Sequence, residues 1–326
     1  MRRLDIIDDI RGISIFVTIM IHTNVYFLQN NIAYNLIELS QFVVAAFIFC
    51  SSYLYYLKDR VDSLSFFWKH LFKRLRRLIV PYYLFLIVYI LFTFMKEPQK
   101  LTSNYIFQNL LLTGGIDFSW LVVLFVELTV LMPFFSFLRR KYKLFLCMYI
   151  IVAIISSLIF LIHTPLPWYR FIMWLPWSLI VIYTMYFEKI EKNTLLFWGL
   201  TVLFFIVYLT TRQFILIPLG RSLRMYDNKY PPNIYYLSYC LMELNILYFL
   251  CQKAVFVWVR KFIHFLSLYS YQIYFLHILV IFAITVLYHF KFNWVTFFLA
   301  TLSITSILQF GFNRLWCQFN RFNRGG

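Results

Sequence analysis

Ten predominantly apolar runs divide this 326-residue chain: 12–29, 37–57, 78–95, 118–138, 143–162, 169–187, 194–211, 233–252, 265–288 and 293–312. Each is near the length a helix needs to cross a hydrocarbon layer about 30 Å thick. Backbone groups in lipid must bond within their own segment, so each run is expected as a helix. The runs are continuous rather than alternating, which excludes barrel strands. The pattern predicts an all-α fold: a polytopic membrane protein of about ten transmembrane helices, built as a single integral-membrane domain over residues 1–326.

The stretch between the second and third runs, 58–77, has a different period. Leu64, Phe67, Trp68, Leu71, Phe72 and Leu75 fall at helical spacing, with Lys69, Lys73, Arg74 and Arg76 interleaved. That pattern predicts an amphipathic helix lying on the membrane surface. Pro81 then suits the first turn of the next span.

The first run carries ionisable residues into the apolar layer. Asp8, Arg11 and His22 stand in the stretch DDIRGISIFVTIMIH. Eleven helical steps separate Arg11 from His22, about 16 Å of rise, and return the side chain to within about 20° of its starting direction. His22 would lie about halfway through the hydrocarbon, where an ionisable group is costly and faces the protein interior or a cavity. Two readings are open here. His22 is a neutral imidazole bonded to a neighbouring helix and Arg11 an interfacial anchor, or the pair is part of a site.

Composition supports the membrane reading: 62% of residues are hydrophobic, 22% aromatic and only 13% charged, about half the charge of a soluble domain. The formal charge of +17 is dispersed between apolar runs. Nucleic acid is therefore not an expected partner, and the basic residues read as topology signals and contacts for anionic lipids or phosphates. Placing the N-terminus inside puts 22 of the 30 basic residues on the inner side, so both termini are expected to be cytoplasmic. One outer loop dissents: 212–232 holds Arg212, Arg221, Arg224 and Lys229. It either binds something anionic or is simply tolerated. The five cysteines show no close pairing, so neither a disulfide framework nor a metal site is expected. Asp5, Asp8 and Asp9 precede the first run and no small-residue cleavage site follows it, so that run is expected to remain as an anchor.

Four stretches, in order along the chain, resemble the acyltransferase 3 family of integral-membrane O-acyltransferases that modify bacterial surface polysaccharides. The first is Ile7-Asp8-Asp9-Ile10-Arg11-Gly12 with His22 ten intervening residues after Arg11. The second is Phe47-Ile48-Phe49-Cys50-Ser51-Ser52, where Ser52 stands in place of a glycine. The third is Arg74-Leu75-Arg76-Arg77 with Pro81 following, and the fourth is Ser270-Tyr271-Gln272-Ile273-Tyr274-Phe275-Leu276-His277. A weaker likeness pairs Trp120 with Pro133. Glu127 between them is one position out of the family register, so no catalytic glutamate is carried over.

The resemblance implies transfer of an acyl group, most simply acetyl, from acyl-CoA (acetyl-CoA) on the cytoplasmic side. The acceptor would be a hydroxyl of a cell-surface glycan or a lipid-linked saccharide, at a bacterial cytoplasmic membrane. No permanently bound cofactor and no metal are implied. His22 is the natural base, because imidazole titrates near neutrality. Arg11 would orient a carboxylate such as Asp8 or bind the donor, or form a structural ion pair. Arg74 and Arg77 would grip the coenzyme phosphates through guanidinium forks, or bind lipid headgroups. His277 would pair with the first site, line an acyl tunnel, or be a packed core histidine. Glu127 and Glu243 are intramembrane carboxylates that could orient His22 or bind substrate. Trp120 reads as an interfacial belt residue or a substrate platform, while His70, His163, His264 and His289 lie near interfaces and need no function. The rival class is a transporter, such as a flippase of lipid-linked sugars. It would share the spans and the basic character, but it often shows internal repeats and Gly- or Pro-broken helices, and neither is visible here.

Overall fold

The computed structural model describes residues 3–57, 64–254, 257–287 and 292–322. Lys58, Arg60, His289, Lys291 and Arg324, to which the sequence assigned sidedness or interfacial positions, lie outside the described residues, and so does the start of the 58–77 segment. Thirteen α-helices account for most of the described chain: α1 (Arg3–Asn24), α2 (Asn31–Leu39), α3 (Val43–Leu57), α4 (Leu64–Lys96), α5 (Ser103–Leu110), α6 (Trp120–Lys141), α7 (Lys143–His163), α8 (Trp174–Lys192), α9 (Thr194–Leu216), α10 (Ile234–Gln252), α11 (Arg260–Leu268), α12 (Ser270–Leu287) and α13 (Trp294–Phe322). No β-strand occurs among the described residues.

Among the described residues, seven helical segments are long and apolar enough to cross a membrane, or eight if the bent pair 257–268 and 270–285 counts as one span. The two sequence runs that drop out fall on α1 and α8. Both form as helices, of 22 and 19 residues. Each concentrates charge at one end: Asp5, Asp8, Asp9 and Arg11 in α1, and Glu188, Lys189, Glu191 and Lys192 in α8.

Two other expectations need correction. The surface helix and the third span are not separate elements: α4 runs unbroken for 33 residues from Leu64 to Lys96, with Pro81 inside it. Proline removes one backbone donor, and a helix in an apolar layer keeps a proline where neighbouring groups or a local adjustment re-satisfy the freed carbonyl. At about 1.5 Å per residue the helix is about 50 Å long, more than the hydrocarbon needs, so its basic first third continues past the apolar part. The run 265–288 is not one span either. It breaks at Tyr269, where α11 and α12 meet at 86°.

The described residues form two compact units. One joins Met1–Val43 to Cys251–Gly326. Its centre is α1, which packs against α11, α12 and α13. This explains why α1 keeps polar residues in an apolar run: Ser14, Thr18 and Thr23 are buried, and each hydroxyl bonds back to a carbonyl of its own helix. The second unit, Val44–Leu250, is centred on Phe187. That ring meets Phe49 at 4.8 Å and Tyr248 at 4.7 Å, both edge-on. α7 shows how the unit faces lipid: Leu146, Ala153, Ser157 and Leu161 form one buried stripe, while Ile151, Ile155, Leu158 and Ile162 are exposed apolar residues.

Candidate active site

The polar start of α1 meets a polar face of α11. Arg260, His264 and Ser267 are spaced so that they share one side of that short helix. Arg11 Nε donates to Ser267 Oγ at 2.9 Å, and the guanidinium also pairs with Asp8. The Ser267 hydroxyl donates to Asp8 Oδ1 at 2.8 Å, closing a three-membered network. One turn away, His264 Nε2 donates to the buried Asp9 at 2.9 Å, and Arg260 spans Asp9 and Asp5 at 3.4 and 3.1 Å. Sequence reasoning left His264 at an interface without a role and overlooked Ser267. The signal that could have found both is the 260/264/267 spacing opposite an acidic 5/8/9 face.

Gly12 sets how closely these helices approach. A Cβ built on it would stand 2.1 Å from the Ile263 carbonyl oxygen. The glycine after Arg11 is therefore what lets α11 come near enough for Ser267 to reach both Arg11 and Asp8.

Eleven residues along α1, His22 meets His277 of α12. His22 Nδ1 and His277 Nε2 are 2.8 Å apart, and His277 Nδ1 is 2.9 Å from the Ile273 carbonyl. A carbonyl only accepts, so His277 Nδ1 carries the proton and its Nε2 is an acceptor. His22 Nδ1 must then donate, which places the unprotonated nitrogen of a neutral His22 at Nε2. The chain Ile273 carbonyl, His277, His22 thus sets the tautomer of a neutral His22, with Nε2 as its basic nitrogen. His277 is fully buried, and Tyr274 flanks the pair with ring centroids 6.4 Å from His22 and 5.8 Å from His277. The partner on His22 Nδ1 is the His277 imidazole, one of the partners the sequence held open beside Glu127 and Glu243.

In the second unit, Arg74 pairs with Ser51 and lies over the Tyr55 ring at 6.0 Å. Two of the stretches singled out in the sequence are thus joined side chain to side chain. Arg77, one turn on, is exposed. Glu127 is partly buried in α6, and its Oε2 has no hydrogen-bond partner among the described residues. Glu243 lies partly buried in α10. Trp120 is not at a lipid surface: it is buried, against Tyr230 at 5.2 Å and the Lys229 ammonium at 5.1 Å. Of the loop cations, Arg221 donates to the Leu161 carbonyl at 2.7 Å and Lys229 is buried. Burial pushes the Lys229 ammonium down to about 8. Arg224 remains exposed. Among the described residues no cluster of three or more His, Cys, Asp or Glu side chains is placed to hold a metal ion.

The acyltransferase 3 family model, described as an acyltransferase domain, matches residues 4–310. The chain belongs to this acyltransferase family. Its apolar helices make it a multi-pass membrane acyltransferase. No curated protein and no solved structure shows a significant match to it. The match covers both histidines of the pair, the Asp8–Arg11–Ser267 network and the Arg74–Ser51 contact. In this acyltransferase the residues of the first and fourth motif stretches therefore meet within one compact unit.

Proposed function

We propose that this acyltransferase moves an acyl group, most simply acetyl, from cytoplasmic acetyl-CoA to a hydroxyl of a surface glycan or its lipid-linked precursor. In this reading His22 is the base. Its Nε2 takes the proton of the acceptor hydroxyl while the hydroxyl oxygen attacks the thioester carbonyl. The C–S bond of the tetrahedral intermediate then breaks, and the leaving thiolate takes the proton back from His22 as the thiol. His277 is a positioning residue: its Nε2 accepts from His22 Nδ1 throughout and stabilises the imidazolium between the two proton transfers. Arg11 orients Asp8 and holds α1 to α11, and Arg74 and Arg77 seat the donor's phosphates. The chain would cross a bacterial cytoplasmic membrane ten times, with both termini inside and its apolar faces in lipid.

The observation that carries the reading is the His22–His277 contact, with the tautomer set by the Ile273 carbonyl. The transporter reading has no comparable observation behind it. The test is thioester cleavage by the purified chain in vesicles of both orientations, supplied with labelled acetyl-CoA. Label should be consumed only with access to the cytoplasmic face and should appear on glycan at the opposite face. Glycan movement without thioester cleavage would establish the transporter instead.

A further inference from the structure

Three chain segments converge at one end of the second unit. Tyr230 is where they meet: its ring centroid lies 4.9 Å from that of Tyr169, 5.1 Å from that of Tyr226 and 5.2 Å from that of Trp120. Hydrogen bonds hold the segments together. Arg170, beside Tyr169, is buried and donates to the Ser119 hydroxyl at 2.8 Å and the Leu112 carbonyl at 3.3 Å, which fixes the loop that carries Asp117. The Leu166 amide donates to the Tyr230 carbonyl at 2.9 Å. Asn233 donates to Thr164 and to Asn228, and Asn228 donates to the Ser222 and Arg224 carbonyls. Residues 112–120, 164–170 and 222–233 therefore form one built surface, and the mechanism proposed above does not use it.

The surface is open where its chemistry lies. Trp120 is 6% exposed and forms the wall behind Tyr230, whereas Tyr226 is 50% exposed and Tyr169 and Tyr230 are half-buried. Asp117 is exposed and Asp227 half-buried. Burial first, and then the charges of Asp117 and Asp227, hold the Tyr226 phenol above its ordinary pKa, so both carboxylates stand near that ring. Aromatic rings and carboxylates thus share one accessible patch. Anionic headgroups attract basic residues and repel carboxylates, so this is not the setting of a tyrosine that anchors a helix in lipid.

The patch lies at the far end of the unit from the proposed donor seat. Trp120 opens α6, and Arg139 is in its last turn. The helix rise between them is about 28 Å, close to the thickness of the hydrocarbon. Arg139 lies over the Tyr56 ring, and Arg74 lies over the adjacent Tyr55 ring, each at 6.0 Å.

We infer that Tyr226, Tyr230 and Tyr169, with Asp117 and Asp227, form a sugar-binding platform that holds a neutral pyranose of the acceptor at the face opposite the donor. The inference rests on the glycan-acceptor reading proposed above. A pyranose has two kinds of surface. Its C–H patches lie well against the negative faces of aromatic rings, and its rim of hydroxyls donates to carboxylates. The platform offers both. A cationic ligand would meet the Lys229 ammonium, already 5.1 Å from the Trp120 ring and 5.6 Å from the Tyr230 ring, and the exposed Arg224. A phosphate would meet Asp117 and Asp227. An uncharged ligand rich in hydroxyls is the class that meets no like charge.

The experiment places the full chain, in lipid nanodiscs, on an array of neutral pyranosyl oligosaccharides, and assays acetyl transfer to a surface-glycan extract. Wild type should bind at least one array member. Tyr226→Ala should weaken that binding by about tenfold or more, the scale of truncating an aromatic anchor, while Tyr226→Phe keeps the ring and should bind much as wild type does. Asp117→Asn with Asp227→Asn should also cost about tenfold, because the charged acceptors are lost. In transfer, Tyr226→Ala and the double variant should raise the acceptor KM and leave the KM for acetyl-CoA unchanged. Binding to no array member, full binding by Tyr226→Ala, or equal losses in Tyr226→Ala and Tyr226→Phe would each overturn the inference. A fall in membrane insertion of Tyr226→Ala with sugar binding intact would mark a lipid anchor and overturn it too. The underlying reading fails separately. If wild type binds sugar through Tyr226 but cleaves no acetyl-CoA, the platform stands and the acetyl-CoA reading falls. If it transfers acetyl and no variant moves the acceptor KM, that reading stands and the platform falls.

Discussion

Replacing Gly12 by alanine should separate α1 from α11. The added methyl would meet the Ile263 carbonyl oxygen at 2.1 Å, the Ile263 carbonyl carbon at 2.8 Å and its Cγ2 at 2.6 Å. Two of these are backbone atoms within a helix, so no rotamer relieves the clash. An ordinary carbon–oxygen contact requires the helices to part by about 1 Å. The Arg11–Ser267 bond, 2.9 Å in the wild type, would then stretch to about 4 Å, and so would Ser267–Asp8 and His264–Asp9, now 2.8 and 2.9 Å. Overpacking costs about 1–3 kcal/mol, and weakening one charged hydrogen bond adds about 1.5–3. The expected loss is about 3–5 kcal/mol, read as a fall of about 5–10 °C in the melting temperature of the purified protein. Gly199→Ala is the control. Nothing lies within 4 Å of its Cβ position, and alanine is the better helix former by about 1 kcal/mol. If Gly12→Ala melts within 2 °C of wild type, about 1 kcal/mol on this scale, the close approach does not hold these helices together.

His277→Phe should leave His22 Nδ1 without its acceptor and reduce kcat by about ten- to a hundredfold, with the acidic limb of the pH–rate profile displaced; a loss with an unmoved profile would make His277 merely structural. Lys229→Met should change how stability depends on pH. The folded-state pKa of about 8 lies below the ordinary 10.5, so between those values the unfolded chain holds a proton that the folded chain lacks, and stability rises with pH by up to about 3 kcal/mol. Melting curves from pH 7.5 to 10.5 should show that rise in wild type and lose it in the variant. Arg74→Lys should raise the KM for acyl-CoA by about tenfold through loss of the guanidinium geometry, while the acceptor KM stays constant; an equal rise in both would mark Arg74 as structural support for Ser51.

Much of the fold was legible because lipid imposes length and composition on a helix. The apolar runs located most helices to within a few residues. The break at Tyr269 was not legible, because Ser267, Ser270 and Gln272 beside it are tolerated in helices, and the contacts Ser267 makes beside the break are with Asp8 and Arg11, more than 250 positions away. Pro81 was misread because a proline within a helix and one at its first turn look alike without the neighbours. In the site, Asp8, Arg11, His22 and His277 stood out as costly residues in apolar runs. Ser267 did not, since hydroxyls are common in such helices and usually bond to their own backbone.

If His22 takes the acceptor's proton in acyl transfer, its removal must all but stop the reaction. The most direct measurement is the rate of labelled acetyl transfer from acetyl-CoA to glycan by His22→Ala, in membranes where the variant is inserted at the wild-type level. Loss of a general base costs about 10² to 10⁴ in rate, so the expected fall is at least about a hundredfold, not rescued by His22→Gln. Activity within about tenfold of wild type would contradict it.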